Sequence, residues 1–93
     1  MYTHVVFFLL NDPSDAPEFS ERLMAMKGKV PTLSEIEVGI DDAPSGRSAH
    51  LCLITRFEDA AGLQAYSVHP VHQAFLDWAR PRIERTMKVD YAG

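Results

Sequence analysis

The chain has 93 residues, 46% hydrophobic and 24% charged, which leaves room for one domain over residues 1–93 and is too apolar for a disordered segment. Nine Lys and Arg against thirteen Asp and Glu give a net charge of −4, a balance that disfavours a nucleic-acid backbone or an anionic membrane surface as partner. The one cysteine, Cys52, allows neither an intramolecular disulfide nor a cysteine-rich zinc site, as expected for a soluble protein of the reducing cytoplasm.

Thr3 to Leu10 is rich in β-branched and aromatic residues and stops at the turn cluster Asn11-Asp12-Pro13, which predicts a strand apolar on both faces. Its apolar run, Val5 to Leu10, is too short for a signal segment or a membrane span. Ser14-Asp15-Ala16-Pro17-Glu18 carries helix-start signals, and Phe19, Leu23, Met26 and Val30 follow as one apolar stripe. Gly28 suits the C-terminal end of that helix, and Pro31 closes it.

Ser34 to Asp41 alternates Ile36, Val38 and Ile40 with Glu35, Glu37 and Gly39, the pattern of a half-exposed strand. Ala49 to Phe57 follows a turn and is again apolar on both parities. Glu58 to Ala61 opens a helical region through Tyr66, which Pro70 interrupts before a further helix with Val71, Phe75, Trp78 and Ala79. Arg85 to Tyr91 alternates once more, with Met87, Val89 and Tyr91 on one side.

The order is β-α-β-β-α-β with a broken second helix, predicting an α+β, ferredoxin-like antiparallel sheet in order 4-1-3-2 with helices on one face. The doubly apolar strands one and three then take the centre. The other face would carry Val5, Phe7, Leu9, Leu51, Leu53 and Phe57, joined by Met87, Val89 and Tyr91, a patch too large to remain in water. A second copy is the economical cover, so the expectation is a homodimer through the open sheet face: a dimeric α+β barrel.

Four histidines are the main chemical signal. Strand parity puts His4 with Val6 and Phe8 under the helices, and His50 from strand three is expected beside it. Tyr66 and His72, from the broken helix above, would converge with them on one pocket, with Val6, Phe8 and Phe75 as apolar walls. A phenol and imidazoles suffice for general acid–base work on a carbonyl compound. The competing reading is structural: single strand histidines hydrogen-bond, and His69-Pro70-Val71-His72 is a helix junction whose imidazoles cap backbone groups. His-x-x-His has no third ligand nearby, so no metal is expected, nor any cofactor. Glycine-rich phosphate loops, Gly-x-Ser-x-Gly elbows, paired-carboxylate spacings and basic stripes are all missing, which removes support for phosphoryl transfer, serine hydrolysis and dinucleotide redox chemistry.

His4-Val5-Val6-Phe7-Phe8, Phe57-Glu58-Asp59, Leu63-x-x-Tyr66-x-x-His69-Pro70-x-His72 and Val89-Asp90-Tyr91 together resemble the stress-responsive A/B-barrel (Dabb) family over nearly the whole chain. The resemblance implies the dimeric α+β barrel. One plant member is a polyketide cyclase, whose working tyrosine and histidine match Tyr66 and His72 and whose pocket histidines match His4 and His50. By that resemblance His72 is the base that removes a proton α to a carbonyl, Tyr66 hydrogen-bonds the substrate or the base, and His4 and His50 orient the polar end. Three departures stand against an identical pocket: Leu9 in place of a frequent lysine, Lys88 in place of an apolar pocket residue, and Leu23 in place of an aromatic. The expected ligand is a small, partly apolar carbonyl or aromatic compound. The alternatives are a cofactor-independent monooxygenase of the antibiotic-biosynthesis type and a non-catalytic, stress-associated binding or assembly protein.

Overall fold

A computed structural model describes residues 1–93 as one four-stranded antiparallel sheet with helices on one face. In chain order the elements are β1 (Tyr2–Leu10), α1 (Ala16–Met24), β2 (Glu35–Ile40), β3 (Leu51–Phe57), α2 (Ala60–Ser67), α3 (Pro70–Ala79) and β4 (Ile83–Ala92). Short 3-10 turns at Pro13–Asp15 and Arg80–Arg82 precede α1 and β4. The strands lie in the order β2-β3-β1-β4, with the two doubly apolar strands central as the patterning requires. No helix is long and apolar enough to cross a membrane.

Register decides which side chains share a face. Val6 sits opposite Leu53 and Phe8 opposite Leu51, while on the other side Val6 faces Lys88 and His4 faces Asp90. Directly opposed residues point to the same side of a pleated sheet. Leu51, Leu53 and Phe57 therefore lie under the helices, which corrects their expected place on the open face. Cys52 and Ile54, paired with Phe7 and Val5, are the β3 residues that stand on the open face. Both parities of β3 are apolar, so composition alone could not separate these faces; a one-residue register choice does.

The core is a single cluster of 14 buried residues on the helix side. Phe19 of α1 is its centre, with ring centroids 5.9 Å from Phe8, 5.9 Å from Phe75 and 4.8 Å from Trp78. Edge-on and tilted arrangements of this kind suit the quadrupoles of the rings. Arg22 and Arg82 both approach the Trp78 ring, their guanidinium carbons 4.3 and 4.6 Å from its centroid.

The α1 helix stops earlier than its apolar stripe. It ends at Met24, yet Met26 and Val30 remain buried through a series of turns. Gly28 takes a left-handed conformation there, at φ +78°, which an L side chain adopts at a cost. The helix break before Pro70 is as expected: α2 closes at Ser67, and His69 caps α3 by accepting the Val71 N–H at Nδ1, 3.1 Å away.

Candidate functional site

A cavity of about 530 Å³ opens between α3, the Leu23 end of α1 and the β1–β4 half of the sheet. The helices pack over β1, β2 and β3, and the uncovered part of β4 leaves its wall open. Val6, Phe8, Leu53, Phe75, Leu76 and Ile83 form most of the apolar lining; the polar groups are His4, His72, Arg80, Thr86 and Lys88. The size and the few converging polar groups match ordinary small-molecule sites.

The two cavity histidines are held by the same ring atom. Nδ1 of His72 donates to the Ser67 carbonyl at 3.0 Å, a carbonyl that also receives Gln73 Nε2 at 2.7 Å. A carbonyl only accepts, so Nδ1 carries the proton of the neutral ring and Nε2 keeps its lone pair. Nδ1 of His4 donates to Asp90 Oδ1, and the other oxygen of that carboxylate takes Lys88 Nζ at 2.5 Å. An acceptor-held Nδ1 again leaves Nε2 as the reactive nitrogen. Burial holds the His72 pKa below its ordinary 6.5; the Ser67 hydrogen bond opposes this, and the charges of His4 and Arg80 add to it. Asp90 is pushed up by burial, but its hydrogen bonds from Lys88 and His4 outweigh that and keep it below the usual carboxylate value.

Tyr66 does not line the cavity wall. Its ring lies behind His72, 4.4 Å between centroids, and against Phe57 at 5.3 Å. The hydroxyl is buried and makes no hydrogen bond, and burial raises the phenol far above its ordinary pKa of 10. It is therefore a neutral donor without an acceptor, an uncommon condition for a buried polar group.

His50 stands apart from this cluster, against the expectation that it shares the pocket. It precedes β3, and its parity is that of Cys52 and Ile54, which face away from the helices. Its Nδ1 accepts the Leu10 N–H at 2.9 Å, where the β1–β4 register shifts between Leu9 and Leu10. The four histidines thus divide into two pairs: His4 and His72 donate from Nδ1, whereas His50 and His69 accept backbone N–H groups there.

Sequence reasoning did not single out Arg80, met Asp90 only within the family motif Val89-Asp90-Tyr91, and met Lys88 only as a departure from a family pattern. The signal for Asp90 and Lys88 was present in the alternation of β4, which sets Thr86, Lys88 and Asp90 opposite Met87, Val89 and Tyr91; what was lacking was the register that brings Asp90 beside His4.

The family model of the stress responsive A/B barrel domain matches residues 2–92. The chain belongs to the stress-responsive A/B-barrel (Dabb) family. Among solved structures, this Dabb domain is similar to a dimeric protein of unknown function and ferredoxin-like fold from Bacteroides fragilis, at 26% identity and a TM-score of 0.88, covering 99% of this chain and 95% of that one. A Dabb family protein with a ferredoxin-like fold from Mesorhizobium loti is 27% identical with a TM-score of 0.76, over 99% of this chain and 95% of that one. A hydroxynitrile lyase from Passiflora edulis shares the fold at 15% identity, with a TM-score of 0.81 and coverage of 97% and 90%. No curated protein matches this Dabb domain in sequence.

Proposed function

We propose that this Dabb domain binds a small, partly apolar carbonyl compound in the helix–sheet cavity and acts on it by acid–base chemistry, with His72 as the base. The observation that carries this reading is the state of the His72 ring: neutral, oriented by the Ser67 carbonyl, and left with a free Nε2 at a cavity whose wall is mostly apolar. A neutral imidazole with a depressed pKa is in its basic form at pH 7. In this reading Nε2 takes a proton from the carbon α to the ligand carbonyl, and the electron pair moves onto the carbonyl oxygen as an enolate. His4, oriented by Asp90, hydrogen-bonds the polar end, and the Tyr66 ring packed behind His72 holds the imidazole in place.

The apolar open face supports a second part of the proposal: the active form is a homodimer joined sheet to sheet. The Bacteroides fragilis relative is described as dimeric. The dimer leaves the cavity, which lies on the helix side, accessible.

The test is α-proton exchange. Acetophenone in deuterated buffer should lose its methyl proton signal faster with the protein than without it. His72→Ala should remove most of that acceleration, on the scale of about a hundredfold for loss of a positioned base. An unchanged rate in His72→Ala sinks the catalytic reading; binding of acetophenone without exchange in the wild type leaves a binding protein.

A further inference from the structure

Resting on the cavity being a ligand site, we infer that its natural ligand is a small monocarboxylate, with its apolar body in the cavity and its carboxylate at the rim between Arg80 and Lys88. The chain as a whole is acidic, at −4, yet the charged side chains in this cavity wall are both cations and no Asp or Glu lines it. That local reversal of sign is the feature to explain.

Each cation has donors to spare. Lys88 Nζ touches Asp90 Oδ2, but the same carboxylate also serves His4, and an ammonium has three donors. Arg80 has only a loose contact with Asp77, 3.8 Å between two mostly exposed side chains, which water screens. The charge of Arg80 is felt inside the cavity, since it is one of the influences on His72. Asp90 offsets one of the two rim cations, so the surplus suits a monoanion. A planar guanidinium takes a carboxylate through paired hydrogen bonds, and the ammonium adds a point charge beside it. The remaining wall, from Val6 and Phe8 to Phe75 and Leu76, takes a phenyl or short alkyl group.

Phenylacetate and its neutral isostere phenylacetamide separate charge from shape. Calorimetric titration at low salt should give phenylacetate about fivefold the affinity of the amide. Arg80→Gln and Lys88→Gln should each bring the two affinities towards parity by weakening the carboxylate alone; both positions are exposed, so the fold is kept. Bound phenylacetate should also move the His72 imidazole titration upward in NMR, because it masks the Arg80 charge. Equal affinities in the wild type, or a preference that survives in both variants, overturns the carboxylate assignment and leaves the cavity as a site for neutral ligands. If neither probe binds, the ligand-site reading falls and takes this inference with it.

Discussion

The two faces of the sheet are built from the same strands and end in different states. On the helix side, β1 and β3 contribute Val6, Phe8, Leu10, Leu51, Leu53 and Phe57, all buried within the chain. On the other side Phe7, Met87, Val89 and Tyr91 are 45%, 63%, 56% and 46% exposed. The difference lies in the cover and not in the hydrophobicity of the strands. One face holds the protomer together and the other is uncovered within it; under the proposed sheet-to-sheet dimer, equally large apolar side chains have separate jobs. The same asymmetry explains the cavity: it opens on the covered side, where the helices stop short of β4.

The sharpest test of that contrast is a pair of phenylalanine truncations. Phe19→Ala, at the centre of the covered core, should lose about 3–5 kcal/mol in chemical denaturation, much of the stability of a domain this small. Phe7→Asp, on the open face, should leave the circular dichroism of the fold intact while light scattering shows monomers in place of dimers. A Phe7→Asp protein that stays dimeric would place the interface elsewhere.

A smaller effect of opposite sign is expected at Tyr66. Its hydroxyl is buried without a partner and away from the cavity, so Tyr66→Phe should make the protein more stable by about 1 kcal/mol and leave α-proton exchange unchanged, the ring behind His72 being kept. Slower exchange in Tyr66→Phe would mean that the hydroxyl reaches the ligand after all.

The smallest effect concerns pH. The folded-state pKa of His72 lies below its ordinary 6.5, so above that value both folded and unfolded chains carry it neutral. As pH falls below about 6.5 the unfolded chain takes up a proton that the folded chain resists, and stability declines until the folded-state pKa is passed. Denaturation at pH 8 and pH 5.5 should show a smaller difference in His72→Asn than in the wild type. The exchange rate should fall on the acid side with a midpoint below that of a free imidazole.

Much of this architecture is legible in the residues. Proline and glycine positions, the helical stripe from Phe19, and strands that are either doubly apolar or alternating require the βαββαβ order and put β1 and β3 in the centre. His4, Val6 and Phe8 do share the helix side as expected, although β1 is apolar on both parities and does not itself mark which side the helices cover. Phe75 and His72, three residues apart on α3, both line the cavity, which helical spacing alone does not distinguish from a place in the core. The helix around Met26 and Val30 misleads, since buried turns preserve an apolar spacing after the helical hydrogen bonds have ended.

His50 shows where local pattern runs out. An imidazole in an apolar strand looks the same whether it faces a pocket or accepts a backbone N–H, and only the chain 40 positions earlier, at Leu10, supplies that N–H. Asp90 shows the converse: nothing near it in the chain marks it as a partner for His4, 86 residues away, until antiparallel pairing makes them neighbours.

By itself, then, the sequence determined the elements, their order, the excess of apolar surface and the family. Those are set by local propensity and by periodicity, which any short window of chain contains. Tertiary structure decided which side of β3 faces the helices, which histidines keep a free Nε2, and that the cavity rim of an acidic protein is positive. The face of β3 and the places of His4, Lys88 and Asp90 depend on strand register, which a shift of one residue would reverse. His72 and Arg80 are instead set by how α2 and α3 meet over the sheet.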